Sequence, residues 1–496
     1  MKKLLAAVVL ALPIVAQTHS ESITVEVVDV PVYVYNSNGA LQNLTKNDFQ
    51  LFVNGKPQSI DYFDPIDFRA PAKSETAPAP VVPHDIRDRR LFLLVLDCAF
   101  TRPAALDRAR KAAAAMIDAS APADYFSVAT FTANNGLQLL VPFTNDHVVA
   151  KRAAMALRAS SVHDPLAIAI SANERETAEF IQIMDSDTGG RAGADALESD
   201  QVLSQLTNAA LKDNAAMPMR RLIEDQVTDF KEIANRLAPF AGYKHVVLMS
   251  EGFSPAAAYQ EARLMQDLKS MADAFRSAGA VVDSIDLGDT SRETFENDAL
   301  HLMAQETGGQ FIQHQNNIKD ALNRISTASA VGYRLGFNVP KNARKGDNTI
   351  DVKVSNVPRG TTISFRHGFS TNVSKPAPGD GLLLADVILN DVPQNGVAPR
   401  IAFAERPYVE VIVPVKQLLA MNGGNAVNAD VMFYVFDAKR AVVEFKEKKL
   451  VIPSDAKKDM AFRDALHLPA GSYTAKALLR AGDSLGFAKQ DFAIPK

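Results

Sequence analysis

Two unbroken apolar runs constrain this chain more than anything else in it. Residues 91–96 read Leu-Phe-Leu-Leu-Val-Leu, and residues 245–249 read His-Val-Val-Leu-Met. A strand with one face in water alternates apolar and polar residues; a strand apolar throughout must be covered on both faces. The usual solution is a parallel sheet whose crossover helices lie on both sides. The flanking sequence supplies them. Leu106, Ala109, Ala113, Met116 and Ile117 share one face of a predicted helix. Leu222, Val227, Phe230, Ile233, Ala234 and Leu237 define another, and further helices are expected over 145–157 and 264–275. Strands are expected at 126–131, 137–141 and 280–285. A helix should end at Thr307-Gly308-Gly309, where glycine supplies a left-handed cap. A short strand at 310–312 and a helix carrying Ile318, Leu322 and Ile325 close the unit. Residues 91–331 therefore read as a doubly wound, Rossmann-like α/β domain. It is interrupted by a polar insertion at 160–217.

The flanks are β. Over 21–63, Ile23, Val25 and Val27 alternate with polar residues; the alternation then steps one residue to Val28, Val30, Val32 and Val34, as at a bulge. Asn54-Gly55 marks a hairpin. In 332–370, Tyr333, Leu335, Phe337 and Val339 alternate, as do Ile350, Val352 and Val354. Neither segment is long enough for its own core, so the two are expected to form one β-sandwich with the α/β unit inserted in it. Pro65, Pro71, Pro78, Pro80 and Pro83 make 64–90 a linker, and a second linker is expected at 371–379. Residues 380–496 read as all-β, with strands at 386–389, 408–413, 431–436, 442–445 and 473–479. That spacing suits an immunoglobulin-like sandwich.

Lys2 and Lys3 precede an apolar run at 4–15, and the small Ala16 follows, so 1–20 reads as a signal peptide. The expectation is export to the periplasm or the medium. No cysteine follows the run to carry a lipid, and no later segment is apolar enough to span a membrane. Cys98 is the only cysteine, which leaves no intramolecular disulfide. Stability must come from hydrophobic cores, and 47% hydrophobic residues in 496 are ample for them. The net charge of -4, with no Lys/Arg block among aromatics, gives no sign of a nucleic-acid partner.

Ligands of open α/β sheets bind beyond the C-terminal ends of the strands. There the first apolar run is followed by Asp97-Cys98-Ala99-Phe100-Thr101, and the second by Ser250-Glu251-Gly252-Phe253. Further motifs fall in a fixed order around these. They are Leu44-Thr-Lys-Asn-Asp-Phe49, Val53-Asn-Gly-Lys-Pro57, Leu94-Val-Leu-Asp97, Val247-Leu-Met-Ser-Glu-Gly-Phe253, Thr307-Gly-Gly309 and Tyr333-Arg-Leu-Gly-Phe337. The ordered set, over roughly 21–370, resembles the von Willebrand factor A-type (VWA) domain, in particular the VWFA-related branch abundant in acidobacterial genomes. Such domains often hold a divalent cation through Asp-x-Ser-x-Ser, a Thr and an Asp on three loops, with one coordination position open to an acidic group of a partner. The resemblance implies Asp97, Thr101, Ser161 (or Ser160) and Glu251 as ligands, with Mg²⁺ or another divalent ion as cofactor. Ala99 departs from the first Ser and cannot ligate, and Glu251 stands where Asp is usual. The competing reading is that Asp97 and Glu251 cap loop amides and helix N-termini.

The resemblance implies a non-enzymatic protein that recognises another protein or a cell surface. Two alternatives stand beside it. Asp97-x-x-x-Thr101, Ser250 and Gly288-Asp289-x-x-x-Glu293 are laid out like a haloacid dehalogenase-like phosphatase with Asp97 as nucleophile. That chemistry needs a second Asp where Ala99 stands. The other alternative is a structural envelope-assembly component with a vestigial site. Nothing suggests a serine hydrolase elbow, a Walker loop or a zinc protease. His163 beside Asp164 reads as a loop pair.

Overall fold

The computed structural model describes residues 27–69, 85–157, 219–253, 262–288, 298–313, 317–339, 346–370, 381–394, 396–403, 408–482 and 484–495. The expected signal peptide, the 160–217 insertion and the 371–379 linker lie outside these residues. So do the first three positions of the expected bulge pattern up to its step, apart from Val27.

The flanking segments share two antiparallel sheets. The first segment supplies β1 (Val27–Asn36), β2 (Gly39–Ala40), β3 (Phe49–Val53), β4 (Lys56–Gln58) and β5 (Tyr62–Asp67). The later segment supplies strands that are numbered after the six of the inserted domain: β12 (Val331–Asn338), β13 (Asp347–Val354), β14 (Thr362–Phe365) and β15 (Gly368–Ser370). One sheet runs β14-β1-β12-β5 with β2 on β1, and the other β15-β13-β3-β4. Val30, Val32 and Val34 meet Leu335 and Phe337 in a core closed by Leu51 and Val352 from the opposite sheet. The other face of β1 is buried too. Tyr33 and Tyr35 pack against Tyr243 and Ala328 of the inserted domain. Alternation along one strand thus serves two cores. Asn54 and Gly55, both at positive φ, make the β3–β4 turn. One boundary needs correcting: residues 64–67, expected in a linker, belong to β5, which runs to Asp67 and pairs with β12. Pro65 is tolerated there because β5 is the edge of its sheet.

The inserted domain contains β6 (Arg90–Asp97), α1 (Pro103–Ala119), β7 (Asp124–Thr132), β8 (Gly136–Thr144), α2 (His147–Ala156) and α3 (Met219–Leu237). It continues with β9 (Tyr243–Ser250), α4 (Ala262–Ser277), β10 (Ala280–Asp286), α5 (Asp298–Thr307), β11 (Phe311–Ile312) and α6 (Ile318–Ala328). The sheet order is β11-β10-β9-β6-β7-β8. Every residue of β6 and β9 is buried, as their unbroken apolar runs require. Residues of α1, α2 and α6 cover one face and those of α3, α4 and α5 the other. The sheet is not wholly parallel: β8 is antiparallel to β7. The few residues between these strands allow a hairpin and are too short for a crossover. At the end of α5, Gly308 has φ +84, and a Cβ there would lie 2.1 Å from the Phe365 carbonyl oxygen. Only glycine permits that close passage to the sandwich.

A buried polar chain joins insert and sandwich. The Tyr33 hydroxyl lies 2.8 Å from His245 Nε2, and His245 Nδ1 lies 3.0 Å from Asp283 Oδ2. Tyr33→Phe should cost about 1–3 kcal/mol, because it leaves a buried ring nitrogen without a partner. Equilibrium urea unfolding measures this; an unchanged midpoint would show that the contact contributes nothing.

The C-terminal part opens with α7 (Gly381–Asn390), where a strand was expected at 386–389. A buried apolar run carries no periodicity that separates helix from strand. Leu382 enters the core of the inserted domain, while Leu384, Val387 and Ile388 pack on the next sheet, so α7 is apolar nearly all round. Then follow β16 (Arg400–Ala402), β17 (Tyr408–Val413), α8 (Val415–Met421), β18 (Val427–Phe436), β19 (Val442–Ile452), β20 (Met460–Ala465), β21 (Gly471–Ala481) and β22 (Ser484–Ile494). Sheets β16-β17-β20 and β19-β18-β21-β22 enclose one core in a β-sandwich. The Tyr473 hydroxyl donates to the Pro469 carbonyl at 2.9 Å and ties the turn to the strand it enters. No helix among the described residues is long and apolar enough to cross a membrane.

Candidate functional site

The parallel strands β6, β9 and β10 lie side by side, and at their C-terminal ends stand Asp97, Ser250 with Glu251, and Asp286. The loop leaving β6 is fixed at its start by the Cys98 amide, which donates to the Phe131 carbonyl at 2.8 Å. Phe100 packs against Phe131 and against Phe253 of the loop after β9. Pro103 at the first position of α1 ends the loop without costing a helix hydrogen bond. The two loops therefore face each other across a short gap.

Asp97 is 1% exposed. Its Oδ1 accepts from the amides of Ala99 at 3.0 Å and Phe100 at 3.1 Å. Its Oδ2 accepts from Ser250 Oγ at 2.6 Å and Gln226 Nε2 at 3.2 Å. A carboxylate offers about four lone-pair directions, so these donors use its capacity. Burial nonetheless pushes its pKa up to about 6, against the lowering effect of the four donors. Ser250 Oγ in turn accepts from the Gly252 amide at 2.8 Å. The loop after β9 is thereby tied to the end of β6.

Glu251 is 3% exposed and meets Arg102. Arg102 Nε lies 2.8 Å from Glu251 Oε1 and 3.0 Å from Oε2, and the Arg102 amide lies 3.4 Å from Oε2. Thr101 Oγ1 accepts from the Glu251 amide at 3.3 Å. On β10, Asp286 Oδ1 accepts from the Gly288 amide at 2.7 Å, and the Leu287 amide donates to the Ser250 carbonyl. Cys98 is buried, and burial pushes its thiol well above the ordinary range, which leaves it inert.

Of the nominated ligands, Asp97, Thr101 and Glu251 come together. Ser161 lies outside the described residues, as do His163, Asp289 and Glu293. The described donor set does not fit a hard divalent cation. Asp97 has its lone pairs filled by protein donors, Thr101 faces an amide, the Ala99 side chain has no oxygen to offer, and Glu251 is turned to a guanidinium. No cluster of three or more His, Cys, Asp or Glu suited to a metal occurs among the described residues. Sequence reasoning missed three members of the site. Ser250 was named in the phosphatase layout but not as a partner of Asp97. Gln226 carried no signal, being one polar residue on a helix. Arg102 had a local one: a cation set between Thr101 and Pro103, beside the strand-end carboxylate.

No family model matches the chain, and no curated protein does. Among solved structures, the pilus adhesin SpaC from Lactobacillus rhamnosus GG aligns with 93% of this chain and 58% of its own, at 6% identity and TM-score 0.27. The chicken interferon gamma receptor alpha chain aligns with 33% of this chain and 73% of its own, at 11% identity and TM-score 0.15. A glycosyl hydrolase family 2 member from Bacteroides cellulosilyticus aligns over 33% of this chain and 20% of its own, at 13% identity and TM-score 0.15. At these scores nothing carries over to the site.

Proposed function

We propose that this chain is an exported recognition protein of the VWA type, which binds another protein through the rim at the C-terminal ends of β6, β9 and β10. The observation that supports it is the wiring of that rim. Asp97, Ser250, Gln226, Thr101, Glu251 and Arg102 hold one another, so two loops are fixed in place with Arg102 at their outer side. Loops pinned on a rigid sheet suit recognition. Chemistry needs a group left poised to react. The phosphatase reading wants Asp97 to attack phosphorus and a second carboxylate to serve as acid. Here all four acceptor directions of Asp97 are engaged, and Ala99 has no carboxyl.

Photo-cross-linking tests this. A photoactivatable residue is placed at the exposed Ala104 in the first turn of α1, and separately at Val451, 69% exposed on the C-terminal sandwich. Each chain is irradiated with the envelope fraction and the medium of the producing organism. A protein captured from position 104 and not from 451 is the expected result. Capture only from 451 would move recognition to the sandwich and favour the assembly role. Mg²⁺-dependent hydrolysis of p-nitrophenyl phosphate, abolished by Asp97→Asn, would replace the reading with an enzymatic one.

A further inference from the structure

We infer that Arg102 is the resident cation of this rim, standing where the resemblance puts a divalent metal ion, and that an Asp or Glu side chain of the partner docks on it. The inference rests on the recognition reading above and adds the chemistry of the ligand. The described rim has a buried acid, Glu251, that calls for a positive charge, and the chain supplies one by itself. Arg102 approaches both carboxylate oxygens through Nε, and its amide lies near one of them. Asp97 has no acceptor left for a shared ion, because its oxygens are filled by two amides, Ser250 and Gln226. The residue that would add a hydroxyl is Ala99.

The outer side of Arg102 is what points to a partner. Its side chain is 46% exposed while Glu251 is 3% exposed, so the pair is anchored inside and open outside. A guanidinium has five N–H donors, and only the Nε–H is used on Glu251. Among the described residues, neither Nη has a hydrogen-bond or ion-pair partner. The planar face left over matches a carboxylate in two parallel hydrogen bonds. A metal site keeps one coordination position for an acidic group; here the Nη edge keeps two donors for the same kind of group. A second consequence is that recognition does not need Mg²⁺.

Two measurements on the mature chain test this. In the first, metal-stripped protein is melted with and without millimolar Mg²⁺ or Mn²⁺. The melting temperature should stay put, whereas a site filled at a hundredfold excess over its Kd would raise it by about 3 °C. In the second, a fluorescein-labelled octaglutamate peptide is titrated by anisotropy at low salt, with polygalacturonate as the non-protein carboxylate. Arg102→Gln should weaken the peptide roughly tenfold, in EDTA and in Mg²⁺ alike. Arg400→Gln, which removes an exposed charge on the C-terminal sandwich, should leave it unchanged. Arg102→Gln takes an ion-pair partner from the buried Glu251, so the double variant Arg102→Gln/Glu251→Gln guards against misfolding. It removes both charges and should lose the peptide while melting like the wild type. A Mg²⁺-induced rise in melting temperature, a peptide affinity that depends on Mg²⁺, tighter binding of polygalacturonate than of the peptide, or full binding by the double variant would each overturn the inference. If position 104 captures no partner but Arg102→Gln behaves as expected, the recognition reading falls and the cation assignment stands. If capture succeeds and Arg102→Gln is silent, the reverse holds.

Discussion

Asp97→Ala is expected to cost the folded chain about 3–5 kcal/mol, because it strands buried donors that each cost about 1–3 kcal/mol when unpaired. The amides of Ala99 and Phe100, the Ser250 hydroxyl and the Gln226 amide all lose their acceptor, and relaxation recovers only part of that. Urea unfolding followed by circular dichroism gives the number, and a midpoint equal to that of the wild type would show that the carboxylate is not holding the loops. The carboxylate also has a pH signature. Burial raises its pKa from 3.8 to about 6, so between those values the folded chain holds a proton that the unfolded chain has released. The contribution of this site to stability is therefore full below about pH 4 and declines as pH rises to about 6. The gap between wild type and Asp97→Ala should narrow across that window. For the same reason this substitution is a poor probe of binding: it loosens the frame on which Arg102 is mounted.

Asp386→Ala is the second large effect expected, again about 3–5 kcal/mol, by removal of one partner from a buried pair. Arg89 Nη1 and Nη2 reach the two Asp386 oxygens at 2.8 and 3.0 Å, and both side chains are almost fully buried. Asn390 also donates to Asp386 at 2.7 Å and to the Phe143 carbonyl. The pair fixes α7 between the inserted domain and the last sandwich. Loss of its carboxylate should speed amide exchange in α7 before the rest of the chain opens. Exchange rates in α7 equal to those of the wild type would rule out this anchoring role. Replacing both partners by apolar residues, Arg89→Met with Asp386→Leu, should restore most of the stability, since desolvation of the pair disappears with it.

What the sequence disclosed follows from what each signal encodes. The runs at 91–96 and 245–249 became β6 and β9 because unbroken apolarity has one structural solution in a short strand, cover on both sides. The same unbroken apolarity misled at 386–389. Length and flanks had to arbitrate there, and the run is buried on several sides as a helix. The expected parallel sheet missed the reversal of β8, which is decided by the length of a connection. At the site, Asp97 and Glu251 were legible because they end strands. Gln226 was not, and Arg102 was marked only by its place beside a strand-end carboxylate, since their partners lie 129 and 149 residues away. A lone Arg in a loop and a lone Gln on a helix look like solvated surface until the fold brings an acid to each.

The interleaved sandwich sets an order on assembly. Tyr333 donates to the Leu41 carbonyl across 292 residues of chain, and Val331 pairs with Asp67. During synthesis β1 emerges long before β12 exists, with Val30, Val32 and Val34 exposed and an unpaired edge on either side. Such an edge is a template for unwanted pairing. Folding of the inserted domain brings its two ends together, since Arg90 at its start donates to the Ser329 carbonyl at its end. It thereby works as the clasp that shortens the search of β12 for β1. A substitution deep in the insert would then reduce the yield of correctly closed sandwich without touching a single residue of it.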